Sequence, residues 1–185
     1  MKRKIKARRL LRKRLAEMPE RWVFNKSYAA CLNLCKTSVF REAKVVMMYL
    51  PMPAEADLTL ALLEALRCNK TVAVPRTRDK AHMDAVSIET LNCAMQQDKW
   101  GIREPTRGAL IQPADFDLIV VPGLGFDTFG RRLGRGAGYY DRFLAEAAGT
   151  TCGFAFEEQL LEDLPVEPHD QEIDLLVTDQ TTRVF

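Results

Sequence analysis

Lys44-Val45-Val46-Met47-Met48-Tyr49-Leu50-Pro51-Met52-Pro53 is the stretch that decides the fold. Its unbroken apolar run from Val45 to Leu50 predicts a strand covered on both faces, since a half-exposed strand would alternate with polar residues. The two prolines stop it. Leu58, Leu62, Leu63 and Leu66 then recur at helical spacing and predict a helix over Asp57–Arg67. The pattern repeats along the chain. Thr71–Val74 reads as a strand ended by Pro75, and Asp117–Val121 as another ended by Pro122-Gly123. Tyr139–Ala148 reads as a helix, and Thr151–Phe156 and Ile173–Val177 as further core strands. Residues 83–112 hold short strands and loops whose order periodicity does not give. Strands alternating with helices define an α/β fold, a mainly parallel sheet flanked by helices. In such sheets ligands sit beyond the carboxyl ends of the strands, where Glu55, Arg76 and the segment from Gly125 to Asp141 fall.

The chain has 185 residues, which fits one domain over 1–185 with a core that needs no disulfide or metal staple. No apolar run approaches the roughly 20 residues of a spanning helix, so no membrane association is expected. The N-terminus is basic but lacks an apolar signal-peptide core, and a cytoplasmic location is expected. Five cysteines, an odd number with no C-x-x-C pair, fit neither a disulfide framework nor a zinc ribbon and read as reduced core thiols.

Net charge conceals an asymmetry. Nine of the 27 Lys and Arg residues lie between Lys2 and Arg14 with no acid among them; the other 18, against 25 acids, leave a body of net −7. Ile5, Leu10, Leu11, Leu15 and Met18 stand near helical spacing, so a basic helix over 2–17 is expected to dock one stripe on that body. A second helix follows Pro19 to about Lys36, with Trp22, Tyr28, Cys31, Leu32 and Cys35 inward. A basic arm on an acidic body suits a solvated face, a nucleic-acid contact or one wall of an anion site.

Arg132-Leu133-Gly134-Arg135-Gly136-Ala137-Gly138-Tyr139-Tyr140-Asp141-Arg142-Phe143 concentrates backbone freedom, positive charge, aromatic surface and a carboxylate. Alternating glycines admit φ > 0 and let anionic oxygens approach main-chain N–H groups. Arg132 and Arg135 offer bidentate donors, and Asp141 a ligand for Mg²⁺. No Gly-Lys-Ser/Thr marks a P-loop, and Tyr139 stands where a dinucleotide fingerprint would need its third glycine. Spacing alone also allows a glycine-rich turn with solvated arginines.

The same segment, with Val121-Pro122-Gly123-Leu124-Gly125-Phe126-Asp127 before it, closely resembles the 5-formyltetrahydrofolate cyclo-ligase family, also called 5,10-methenyltetrahydrofolate synthetases. Three further blocks agree in order: Tyr49 to Asp57, Trp100-Gly101-Ile102-Arg103-Glu104-Pro105, and Leu164-Pro165 with His169-Asp170. The resemblance implies a NagB/RpiA/CoA-transferase-like fold and conversion of 5-formyltetrahydrofolate to 5,10-methenyltetrahydrofolate with ATP as co-substrate and Mg²⁺ as cofactor. It implies that Lys2, Lys6, Arg132, Leu133, Gly134, Arg135, Gly136, Ala137, Gly138, Tyr139 and Tyr140 bind ATP. Leu50, Glu55 and Trp100, with Arg135 to Tyr139, would bind the folate, Arg135 and Tyr140 would be catalytic, and Asp141 and Asp170 would hold the metal. The family's Lys-x-x-Leu-Arg aligns with Lys2-Arg3-Lys4-Ile5-Lys6, and Arg8 or Arg9 is an alternative to Lys6. Ala54, Leu58 and Arg103 depart from its glycine, threonine and proline. Folate and ATP are the expected partners of a monomer or weak homodimer that binds no nucleic acid. A non-catalytic folate or nucleotide regulator, and a nucleic-acid module led by the basic helix, are the alternatives.

Overall fold

The computed structural model describes residues 2–97 and 102–185. In chain order its elements are helices α1 (Lys2–Ala16), α2 (Glu20–Lys36) and α3 (Ser38–Glu42), strand β1 (Val45–Met47), helix α4 (Thr59–Arg67) and strands β2 (Thr71–Thr77) and β3 (Met83–Ile88). Then come β4 (Met95–Gln97), β5 (Arg103–Pro105), β6 (Leu110–Ile111), β7 (Leu118–Val121), β8 (Gly125–Asp127) and β9 (Arg132–Leu133). Helix α5 (Tyr139–Leu144) and strands β10 (Thr150–Phe154), β11 (Leu160–Leu161), β12 (Leu175–Val177) and β13 (Thr182–Val184) complete it.

Among the described residues eight strands form one sheet in the order β13-β12-β10-β7-β1-β2-β3-β6. The five strands from β12 to β2 run parallel, and β13, β3 and β6 add antiparallel edges. The mainly parallel α/β sheet read from the sequence is therefore present. Its apolar run is covered on both sides as expected: Val46, Leu118 and Val120 face one core cluster, while Met47, Ile119 and Val121 face the other. Strand side chains alternate, so every residue of such a strand must be apolar.

Pro75 does not end β2. The strand continues to Thr77, and Pro75 stands opposite Ala85 of β3. Met48 N–H donates to the Ala73 carbonyl, so residue 73 and, by alternation, residue 75 address the β1 side. β1 pairs with β2 only as far as Ala73, and the missing N–H of Pro75 costs no ladder bond there.

The helix faces differ from the spacing in detail. On α1 the inner line is Lys4, Leu11 and Leu15, and Ile5 and Leu10 are exposed. On α2 it is Ser27, Ala30, Cys31 and Leu34, whereas Trp22, Tyr28 and Leu32 are exposed. Small residues win because α2 approaches the start of α4 closely: Asp57 N–H donates to Ser27 Oγ at 3.0 Å, and Cys31 Sγ meets the Asp57 carbonyl at 3.4 Å. On α4, Leu58, Ala61, Leu62 and Ala65 are buried, and Leu63 is not. Helix α5 stops at Leu144, short of the expected Ala148. The cysteines are all free, but only Cys31 and Cys152 are core residues; Cys68 is exposed. No helix among the described residues is long and apolar enough to cross a membrane.

A small three-stranded sheet, β11-β8-β9, sits beyond the carboxyl end of β7. It is drawn close by Phe126, whose ring lies where a Cβ on Gly123 or Gly153 would come within 2.6 Å of it. Neither position has room for a side chain.

At the other end of the sheet, Asp117 Oδ2 accepts from the N–H groups of Lys44 at 2.7 Å and Val45 at 2.9 Å, joining β7 to β1 at their starts. These backbone donors hold the Asp117 carboxyl below its ordinary value. A lowered native pKa gives stability that is complete above about pH 4 and is lost as pH falls through the native value. Asp117→Ala is expected to melt about 3 °C below wild type at pH 7, the effect of about 1 kcal/mol, with the gap closing below about pH 4. Thermal melts across pH 3 to 7 check both the size and the sign.

Candidate active site

Beyond the carboxyl ends of β1 and β7 the chain builds one concentrated polar site. β9 carries Arg132, whose guanidinium is enclosed and donates to Asp141 Oδ1 at 2.6 Å and to the Pro122 carbonyl at 3.3 Å. It also lies 5.6 Å from the centre of the Tyr140 ring. Three elements therefore meet on one cation. Arg132 is thus turned toward the protein, and the neighbouring Leu133 is in the core; neither side chain offers itself to a ligand. Asp141 stands in the first turn of α5.

From Gly134 to Gly138 the backbone forms an open loop, with Gly136 at φ 117° and Gly138 at φ 72°. Those angles favour glycine. Helix α5 has only six residues, so what the loop offers an anion is its glycine backbone and the surrounding cations more than a helix dipole. A cleft of about 370 Å³ opens beside it, lined by Gly136, Ala137, Gly138, Asp141, His169 and Gln171 among others.

Glu55 faces the loop from the segment after β1. Arg135 donates to Glu55 Oε1 through Nε at 3.0 Å and Nη2 at 2.9 Å, and Met52 N–H donates to Oε2 at 3.0 Å. Tyr49, fully enclosed, steadies this segment by donating its hydroxyl to the Ala56 carbonyl at 2.6 Å. Leu50 is buried beside it in the core. The Tyr140 hydroxyl is buried with no hydrogen-bond partner. Burial, and then the negative charge of Glu55, push its pKa up against the pull of Arg132, so it remains a neutral donor. Tyr139 points elsewhere, donating to the Asp79 carbonyl at 3.0 Å. Trp100 lies outside the described residues.

The basic helix reaches this site, but through cations other than Lys2 and Lys6, which are exposed. Lys4 is buried and donates to both oxygens of Asp170, at 2.8 and 2.6 Å, and to Glu167 at 2.9 Å. Arg8 Nε donates to the Gly134 carbonyl at 2.9 Å, and Arg12 to that of Arg135 at 3.3 Å. The reason is helical phase: with Leu11 and Leu15 fixed inward, positions 4 and 8 face the body, while positions 2 and 6 are exposed. Lys4 and Arg8 are thus the α1 cations with hydrogen bonds at the site, while Lys2 and Lys6 stand exposed. Burial opposes the charge on Lys4, but the hydrogen bonds to Asp170 and Glu167 outweigh it and raise its pKa. Asp170, likewise opposed by burial, is held low by Lys4 and the Glu167 N–H.

Asp141 lines the cleft and Asp170 stands on the neighbouring segment, since Gln171 N–H approaches Asp141 Oδ1 at 3.5 Å. They differ as candidate metal ligands. Asp141 is held through Oδ1 and presents Oδ2, which suits a hard divalent ion that takes one or two carboxylates. Asp170 has both oxygens on Lys4, so it becomes a ligand only if that ammonium yields. Glu167, His169 and Asp170 could also converge on an ion, with Lys4 now among them. The core thiols are poor nucleophiles: burial pushes Cys31 up to about 11 and Cys152 higher still.

A glycine-rich, cation-lined loop opposite a carboxylate, beyond the strand ends of an α/β sheet, is chemically suited to anionic groups. Residues 1–179 match the model of the 5-formyltetrahydrofolate cyclo-ligase family. The chain is 32% identical to the mouse 5-formyltetrahydrofolate cyclo-ligase, covering 73% of each protein. It is 36% identical to that of Mycolicibacterium smegmatis, covering 69% of each. The solved Aquifex aeolicus 5,10-methenyltetrahydrofolate synthetase superposes with a TM-score of 0.85 at 34% identity, over 98% of this chain and 92% of that one. This chain belongs to the 5-formyltetrahydrofolate cyclo-ligase family and is a cyclo-ligase.

The unpartnered Tyr140 hydroxyl makes the site testable without substrate. Burying a hydroxyl with no partner costs about 1–3 kcal/mol. Tyr140→Phe is therefore expected to melt no earlier than wild type and up to about 4 °C later, whereas most buried substitutions lower the midpoint.

Proposed function

We propose that the protein closes 5-formyltetrahydrofolate to 5,10-methenyltetrahydrofolate at the expense of ATP, with Mg²⁺, through a phosphorylated formyl intermediate. The observation that carries this reading is the Glu55–Arg135 pair beside the Gly134–Gly138 loop: a carboxylate for one substrate within reach of a cradle for the other. Glu55 accepts a planar guanidinium through two N–H groups, and a pterin presents a comparable N–H pair at N3 and its 2-amino group. Folate binding at Glu55 therefore releases Arg135, which turns to phosphate.

A formamide oxygen is a poor leaving group. The formyl oxygen attacks the γ-phosphorus of ATP, the bond to ADP breaks, and an iminophosphate results. N10 then attacks the formyl carbon, the C–O bond breaks with its electrons going to phosphate, and the N10 proton passes to solvent. The protein's task is positioning and charge neutralisation. Arg135 and the N–H groups of Gly136 to Gly138 meet the transferring phosphoryl group, and the Tyr140 hydroxyl donates to an oxygen at the reacting centre. Lys4 and Arg8 bring charge from α1 to the nucleotide. Mg²⁺ would be held by Asp141, with Asp170 as a second carboxylate once Lys4 moves to phosphate, and would neutralise phosphate charge there.

The assay follows methenyl product spectrophotometrically from purified protein, Mg-ATP and 5-formyltetrahydrofolate. Product is expected, and its absence overturns the proposal. Glu55→Ala should raise the KM for the folate at least tenfold, about 1.4 kcal/mol, and leave that for ATP within about threefold. Asp141→Asn, with its fold checked by melting, should lower turnover about a hundredfold and flatten its dependence on Mg²⁺.

A further inference from the structure

The glycine loop has a second set of supports that the reaction scheme leaves unused. Its first half is held by α1, through Arg8 and Arg12. Its second half is tied to the turn between β2 and β3. Arg142 Nε donates to the Ala81 carbonyl at 2.5 Å, while Nη2 of the same guanidinium donates to the Ala137 carbonyl at 2.7 Å. Tyr139 adds its hydroxyl bond to the Asp79 carbonyl, and the Arg142 guanidinium lies 5.8 Å from the Tyr139 ring centre.

Each partner is built for the contact. A Cβ on Gly138 would come within 2.9 Å of Arg142 Nη1, so glycine there gives the guanidinium room as well as the backbone its φ of 72°. The turn is itself stiff: Asp79 Oδ1 accepts from Ala81 N–H at 2.7 Å and His82 N–H at 2.8 Å, and the imidazole Nδ1 lies 3.0 Å away. These donors hold Asp79 low, at about 2, so the carboxylate persists throughout the neutral range. A loop with glycines at 134, 136 and 138 loses much conformational entropy when it closes on a ligand. A planar fork that spans two carbonyls on separate elements removes part of that freedom beforehand, which an ammonium cannot do with one point of charge.

We propose that Arg142 is a positioning residue for the nucleotide, holding the second half of the glycine loop against the β2–β3 turn so that its N–H groups are set before ATP arrives. This rests on the loop being the ATP site. Arg142 acts through Ala137 and Gly138, and Asp79 acts in turn through the Ala81 end of the same tether.

The test uses the full-length protein and the variants Arg142→Ala, Arg142→Lys, Asp79→Ala and the Arg142→Ala/Asp79→Ala double. With folate saturating, Arg142→Ala is expected to raise the KM for ATP about tenfold with kcat and the folate KM within about threefold. Asp79→Ala, remote from the cleft, should raise it about threefold, the double variant should be no worse than Arg142→Ala alone, and Arg142→Lys should fall between. An unchanged ATP KM in Asp79→Ala beside a large rise in Arg142→Ala overturns the proposal in favour of a direct charge contact. Equal loss in every kinetic constant with a lowered melting temperature overturns it in favour of a general structural role. Amide hydrogen exchange over residues 134–138 of the ligand-free protein reads the tether with no substrate present, and should speed up in both single variants. Faster exchange with no methenyl product from wild type would sink the proposed reaction and leave the tether standing; unchanged exchange would sink the tether whatever the activity.

Discussion

The ion pair between the enclosed Arg132 and the half-buried Asp141 is the interaction on which the site depends. It draws the ends of three elements, Pro122 after β7, Arg132 on β9 and Asp141 on α5, onto one guanidinium. Removing Asp141 would leave the enclosed Arg132 charge without its carboxylate, which is costly, so the guanidinium is not free to drift. Arg132 is not fully satisfied even so, because its Nε is buried with no partner. The pair is thus better understood as fixing an arrangement than as adding stability. What it fixes is where the glycine loop begins and where α5 starts, and hence the side of Tyr140 that faces Glu55.

The strands were legible because their chemistry is local. From Val45 to Met48 alternate residues do enter opposite cores, whereas Tyr49 and Leu50, beyond the end of β1 at Met47, join Met48 in one of them, so the strand is shorter than its apolar run. The helices exposed the limit of spacing. Ile5 and Trp22 look like core residues and are exposed, whereas Lys4 and Ser27 look like surface and are buried. The reason is that Lys4 meets acids more than 160 residues away and Ser27 meets the entrance to α4, and periodicity carries no information about either partner. Short pieces failed for a different reason. β9 and β11, at two residues each, are too short to show a period, though β9 carries Arg132 into the site.

Much of the candidate site was readable because its residues crowd into one segment, Arg132 to Asp141, and because Glu55 follows a clear strand. Their division of labour was not. Arg132, Leu133 and Arg135 are near neighbours, yet one is enclosed on Asp141, one is core and one lies open on Glu55. A two-residue strand between two glycine-rich turns sets those directions, and no propensity specifies them. The same holds for the basic helix. Nine cations left a solvated face, a nucleic-acid contact and an anion site all open, and only the phase imposed by Leu11 and Leu15 turns Lys4 and Arg8 toward the body.

The Lys4–Asp170 bond also orders events during synthesis. Its partners are 166 positions apart, so at about 5–20 residues per second the helix leaves the ribosome roughly ten to thirty seconds before its acceptor exists. For that interval a cationic helix with two uncovered leucines stands beside a growing sheet it cannot yet complete. An element made before the sheet is therefore secured after it, and a nascent chain halted before Asp170 carries the glycine loop without the ion pair that holds the start of α1.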